Sequence, residues 1–151
     1  DEDTLTFTFK SPDVMFKSGK DDLSKEYQAL LSMFFPRYMQ VLEPFKGSIN
    51  EVRVEGHTSS PFGRASDDDA YFGNMALSQG RTRSVLRHVY LLPEIEKNKA
   101  WVKLHLAAVG LSSSRLILKA DGSENNAASR RVSFRVITNA DVQIKRILQG
   151  G

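Results

Sequence analysis

The sequence predicts an α+β sandwich, one domain with helices packed on one face of a sheet. Three observations carry this. Apolar and polar residues alternate near both ends of the chain, at Leu5 to Phe9 and again at Val132 to Val136, which is the period of a half-buried strand. Between them lie two long stretches with apolar residues at helical spacing. A length of 151 residues suits a single core, and no internal repeat is visible. The composition narrows the chemistry: with no cysteine, the chain has no disulfide, no cysteine-ligated zinc or iron–sulfur cluster and no thiol nucleophile. No apolar run approaches the roughly 18 residues of a membrane helix. The start Asp1-Glu2-Asp3 is unlike a signal peptide, so any targeting segment is expected to be removed or absent.

The elements follow in order. Leu5, Phe7 and Phe9 alternate with Thr4, Thr6 and Thr8 in a first strand, followed by a loop with Ser11-Pro12 and Gly19. A helix runs from Leu23 through Tyr27, Leu31, Phe35 and Leu42, capped by Asp21 or Asp22 and kinked or split at Pro36. Val52 and Val54 mark a second strand ending near Gly56-His57. Thr58 to Gly73 reads as a long polar loop containing Asp67-Asp68-Asp69, a length that is often functional. A second helix is expected from about Asn74 to Leu92, stopped by Pro93. A third helical stretch runs from Ile95 past Trp101 to Ala108 and ends at Gly110. Leu116 and Leu118 read as a short strand, Asp121-Gly122 opens a turn-rich loop, and Val132 to Val136 forms the last strand. Residues 139–151 are left as a C-terminal tail.

The net charge of +3 divides into −5 over residues 1–75 and +8 over residues 76–151. A basic half suits either an anionic polymer or a solvated surface. Arg81 is the most informative residue. At about 100° per residue it falls some 40° from Leu77 and 40° from Val85, inside the apolar stripe of its helix. A guanidinium there stays charged and must be paired. It forms either an internal salt bridge to a loop aspartate or a bidentate clamp on a ligand carboxylate.

Other chemistries lack their patterns. His57, His88 and His105 have no metal-ligand spacing, and His88 falls on the buried face as a satisfied core histidine. The aspartate run lacks the glycine and closing glutamate of a calcium loop. There is no Gly-x-Ser-x-Gly elbow, and Ser18-Gly19-Lys20 lacks the rest of a phosphate loop. Arg130, Arg131 and Arg135 surround Phe134, but Phe134 points to the face opposite Arg131 and Arg135, which argues against a base-stacking RNA surface. No enzyme activity, cofactor, metal or nucleic-acid partner is expected.

Several segments together resemble the outer membrane protein A (OmpA) C-terminal-like family, which includes Pal and MotB. Gly56-His57-Thr58 closes a strand, and Asn74-x-x-Leu77-Ser78-x-x-Arg81-x-x-x-Val85 opens a helix in the family's manner. Phe16-x-x-Gly19, Gly110-Leu111-x-x-x-Arg115-Leu116 and Arg130-Arg131-Val132 resemble three further family segments, so the likeness spans roughly residues 5–138. The resemblance implies a mixed four-stranded sheet. It also implies a periplasmic, membrane-anchored protein of the cell envelope that binds peptidoglycan without reacting with it. Family members grip diaminopimelate of the stem peptide with an aspartate directly after Gly-His-Thr and with the helix arginine.

The arginine position maps onto Arg81 and the aspartate position onto Ser59, which cannot balance an ammonium group. Either one of Asp67, Asp68 and Asp69 replaces the carboxylate, or diaminopimelate binding is altered. The expected ligand-binding set is Thr58, Ser59, Asn74, Leu77, Arg81 and Arg131, with Arg131 closing the pocket or bracing its loop. The long loop before the second helix resembles that of MotB more than that of Pal, and the extra segment from Pro93 to about Leu106 is a second departure from the family pattern. That segment either covers the core or binds a partner. By the same analogy, a MotA-like membrane partner and a homodimer are candidate associations.

Overall fold

The computed structural model describes residues 5–10 and 12–150. Its elements are β1 (Thr6–Phe9), α1 (Pro12–Met15), α2 (Lys25–Leu42), β2 (Ile49–His57), α3 (Asp67–Tyr90), α4 (Lys99–His105), β3 (Leu106–Gly110), α5 (Asn126–Ser129), β4 (Arg131–Thr138) and α6 (Asn139–Gln149), with 3₁₀ turns at Glu43–Ser48 and Pro93–Asn98. The sheet is mixed and four-stranded, in the order β1-β4-β2-β3. β4 runs antiparallel to both β1 and β2, and β2 runs parallel to β3. The architecture is the α+β sandwich expected. Among the described residues no helix is long and apolar enough to cross a membrane.

Alternation decides which side of each strand meets the helices. Val52 and Val54 of β2 and Val132, Phe134 and Val136 of β4 are buried in one core with Phe9. α2 presents Tyr27, Leu31, Phe35, Met39 and Leu42 to it, and α3 presents Val85 and Val89. Phe9, Phe34, Tyr38 and Phe134 form an aromatic cluster with ring centroids 5.0–5.9 Å apart along its contacts. The outward face of the sheet is charged. Glu55, only 3% exposed, sits there between Arg135 (Nε to Oε1 3.1 Å), Arg115 (Nη1 to Oε2 3.5 Å) and His57 (Nε2 to Oε2 3.6 Å). Hydrogen bonding from His57, then the charges of Arg135 and Arg115, hold its carboxyl below the usual carboxylate range against the opposing effect of burial.

The structure corrects several local expectations. α2 is capped by Ser24, whose Oγ accepts the Tyr27 N–H at 3.0 Å, instead of by Asp21 or Asp22. It runs unbroken through Pro36, because the buried row on either side holds it to the core. α3 begins at Asp67, not Asn74: Ser66 caps it, and Asp67, Asp68 and Asp69 occupy its first turn, where carboxylates favour the positive end of the helix dipole. The third helix is short and stops at His105. Residues 106–110 are strand β3, and Gly110 pairs with Gly56 instead of ending a helix. Leu116 and Leu118 form no strand, only an isolated bridge from Leu118 to Glu124. The C-terminal tail is helix α6, opened by a capping box in which Thr138 and Asp141 satisfy each other's backbone N–H groups.

Candidate functional site

The C-terminal ends of the parallel pair β2 and β3 form the base of the site. Across them Gly56 pairs with Gly110, and α3 lies against both. A Cβ at Gly56 would meet Thr82 Cγ2 at 2.8 Å and the Ser78 carbonyl at 2.9 Å; one at Gly110 would meet the Gln79 nitrogen at 2.4 Å. Only hydrogen at these positions lets the helix approach so closely. Ser112 then locks the corner. Its backbone has φ +54°, its N–H donates to Ser78 Oγ at 3.1 Å, its hydroxyl donates to the Tyr71 carbonyl at 2.6 Å, and its carbonyl accepts the Thr58 N–H at 2.9 Å. Sequence reasoning quoted Ser78 only as part of the helix motif and missed Ser112; small hydroxyl residues carry too weak a local signal to reveal a fixing role.

Above this base lies a cavity of about 630 Å³. Asn74, Leu77 and Arg81 line it from α3, because spacings of three and four place them on one stripe. Thr58 and Ser59 line it from the end of β2, and the 61–65 loop, Phe16 and Gly19 supply further wall. Five expected residues therefore meet in one cavity: Thr58, Ser59, Asn74, Leu77 and Arg81.

Arg81, 9% exposed, is held by a segment 61 to 64 residues earlier in the sequence. Its Nε donates to the Lys20 carbonyl at 2.8 Å and its Nη2 to the Lys17 carbonyl at 3.3 Å, while the guanidinium lies 4.7 Å from the centre of the Phe16 ring. This orients the fork before any ligand arrives. Asn74 is buried and structural in its contacts: its amide nitrogen donates to the carbonyls of Ser59 (3.0 Å), Ser60 (3.2 Å) and Pro61 (3.2 Å), stitching the loop to α3. A second tie comes from Glu124, whose carboxylate accepts both the N–H and the hydroxyl of Ser60. The hydroxyl of Thr58 is buried without a hydrogen-bond partner among the described residues.

Two expectations are displaced. Arg131 does not line the cavity: it pairs with His57 across the sheet, and its guanidinium donates to the carbonyls of Ser129 (2.9 Å) and Arg115 (3.2 Å), bracing the loop between β3 and β4. Arg130 lines the cavity in its place. The alternation Val132, Phe134, Val136 inward already implied this, since Arg130 shares their parity and Arg131 does not. Asp67, Asp68 and Asp69 are exposed, and Asp69 lies twelve residues from Arg81 along one helix, about 18 Å at 1.5 Å per residue. They do not stand in for the missing carboxylate. His88 bridges two helices, its Nε2 3.0 Å from Ser32 Oγ and 3.1 Å from the Gln28 carbonyl.

The fold is similar to those of solved OmpA-like and MotB periplasmic domains. The Helicobacter pylori MotB periplasmic domain is 16% identical with a TM-score of 0.61, over 96% of this chain and 84% of that one. The cell wall anchor of the T6SS from Pseudomonas aeruginosa is 21% identical with a TM-score of 0.54, over 89% and 81%. In sequence the chain is 50% identical over 150 residues to the Zorya protein ZorB of a strain of Escherichia coli, and it spans 64% of the length of that relative. No protein-family model matches the chain.

Proposed function

We propose that this domain is a non-enzymatic, periplasmic peptidoglycan-binding module that anchors a membrane protein to the cell wall. The observation that carries the reading is Arg81, a guanidinium fixed by two carbonyls and an aromatic ring at the wall of a cavity built on the ends of β2 and β3. It grips a carboxylate of the stem peptide at diaminopimelate, with the Thr58 and Ser59 hydroxyls beside it. Asn74 shapes the rim and Leu77 supplies apolar wall. The likeness in fold to the MotB periplasmic domain and to a cell wall anchor supports the same role, with a MotA-like membrane protein as a partner.

Sedimentation with isolated peptidoglycan tests this. The wild-type domain pellets with the wall, Arg81→Ala falls to the level of the wall-free control, and Arg131→Ala, which alters a residue outside the cavity, pellets like wild type. Circular dichroism of each variant separates lost binding from lost folding. Equal pelleting of folded Arg81→Ala and wild type would remove Arg81 from its role.

A second reading, self-association, is favoured by an apolar groove of about 680 Å³ between β1 and α2, where Leu5, Phe7, Leu30, Met33 and Val41 are exposed. Its occupant on this reading is a second copy of the chain. Sedimentation equilibrium of wild type and Met33→Glu distinguishes a dimer from a monomer.

A further inference from the structure

We propose that a second cavity, at the opposite end of β2 from the Arg81 cavity, binds the N-acetylated sugars of a glycan strand. This rests on the wall-binding reading, since it gives the domain a hold on the carbohydrate component of peptidoglycan. The cavity measures about 440 Å³ and lies where the turn at Glu43–Ser48, the start of β2, α4 and the start of α6 meet. Lys46, Asn50, Trp101, His105 and Asn139 line it. Trp101 and His105 come from α4, within the segment that departs from the family pattern.

The Trp101 and His105 rings stack with centroids 4.5 Å apart and planes 13° from parallel. A charged ligand finds little beside them. Lys46 is already paired with Glu43 at 2.6 Å and donates to Asn98 Oδ1 at 2.6 Å, and among the described residues no carboxylate lines the cavity. What remains is neutral. His105 Nδ1–H donates to the Trp101 carbonyl at 2.9 Å, which leaves Nε2 of the neutral ring as an acceptor. Asn139 donates one amide hydrogen to the Gly47 carbonyl at 3.1 Å and keeps its oxygen. Asn50 is exposed at a β-bulge, between Ile49 paired with Thr138 and Glu51 paired with Ile137, an irregularity that re-aims a side chain. Among the described residues neither its amide nor the Trp101 indole N–H has a hydrogen-bond partner. Neutral donors and acceptors beside an aromatic stack fit a sugar, whose slightly positive C–H face packs on the negative face of a ring. An acetamido group fits best, because a side-chain amide such as that of Asn50 meets its N–H and its carbonyl together. The nine residues of β2 separate the two cavities, roughly 30 Å at 3.3 Å per residue. A polymer of repeated sugars and stems spans that length, so the two sites reinforce each other on intact wall.

The tetramer of N-acetylglucosamine, titrated into the domain, tests the proposal. Emission of Trp101, the only tryptophan of the chain, reports on the cavity itself, and calorimetry gives the affinity. A saturable response is expected from wild type and from folded Arg81→Ala alike. Asn50→Ala, a change at an exposed residue, is expected to weaken binding about fivefold at an unchanged melting temperature. Maltotetraose, which carries hydroxyls and no acetamido group, is expected to bind about tenfold more weakly than the N-acetylated tetramer. No saturable response in emission and heat, or equal affinity of wild type and Asn50→Ala, would overturn the site, and equal affinity for maltotetraose would overturn its assignment to N-acetylated sugars. Arg81-dependent pelleting with the wall but no tetramer binding removes this site and keeps the stem-peptide reading; tetramer binding with pelleting indifferent to Arg81 does the reverse.

Discussion

Replacing Arg81 by lysine separates its two tasks. Lysine keeps the positive charge but loses the planar fork, so the Nε bond to Lys20 and the Nη2 bond to Lys17 cannot both be remade, and the stack on Phe16 is lost. Hydrogen bonds from a charged group contribute about 1.5–3 kcal/mol each and an aromatic stack with a cation about 0.5–2 kcal/mol. An ammonium recovers roughly half of this by bonding one carbonyl, which leaves a net loss of about 2–4 kcal/mol. For a domain of this size that corresponds to a fall in melting temperature of about 4–16 °C. The loop carrying Lys17 and Lys20 is loosened at the same time, because two of its carbonyls are bound to α3 through Arg81. Thermal denaturation followed by circular dichroism measures the first effect, and wall sedimentation measures the second. Both are expected to fall together. A variant that melts within about 1 °C of wild type would refute the claim that the two carbonyls and the ring anchor this side chain.

Three further predictions follow from the packing. Gly56→Ala places a Cβ 2.8 Å from Thr82 Cγ2 and 2.9 Å from the Ser78 carbonyl, so α3 must shift, at a cost of about 1–3 kcal/mol in chemical denaturation and with weaker wall binding. Glu55 is ionised in the folded protein at pH values where the unfolded chain has already taken up its proton. Its contribution is therefore complete above the ordinary value of 4.5 and is lost as pH falls through the lower folded value. Melting temperature should drop in that acid window, and Glu55→Gln should flatten the drop while costing about 2 kcal/mol at neutral pH. Thr138→Ala removes the α6 capping box. Since Ile144, Ile147 and Leu148 of that helix are exposed, the change should lower helical ellipticity while leaving the main unfolding midpoint within about 0.5 kcal/mol of wild type.

What the sequence made legible, and what it hid, has physical reasons in particular residues. β1, β2 and β4 were readable because one face of each meets the core and the other does not, so apolar residues alternate at Phe7, Phe9, Val52, Val54, Val132 and Phe134. Arg81 stood out because a guanidinium interrupts an apolar stripe. The first two turns of α3 were hidden because Asp67 to Asp69 and Tyr71 to Phe72 face outward there, where no apolar period is required. β3 was hidden for the opposite reason: Leu106-Ala107-Ala108-Val109 has little polarity contrast, and its pairing with β2 is a contact between residues far apart in sequence. The exchange of Arg131 for Arg130 was avoidable, since strand parity alone distinguishes them. The role of Asn74 was not. That an amide nitrogen would be used up by three carbonyls depends on where the 59–61 backbone turns, which no spacing reveals.

The strand order carries a consequence for how the molecule comes into being. β4, made after both of its neighbours, inserts between β1 and β2, and its register runs from His57 against Arg131 to Ile49 against Thr138. A chain emerging from the ribosome has no partner for β1 and no centre for its sheet until residue 138 is free, so Phe7 and Phe9 wait exposed while some 120 further residues are added. Closing loops of that size before any sheet contact stabilises them makes assembly slow and all-or-none. Truncation before the end of β4 therefore leaves the β1 aromatics bare, a ready substrate for chaperones and proteases, and not a smaller working domain.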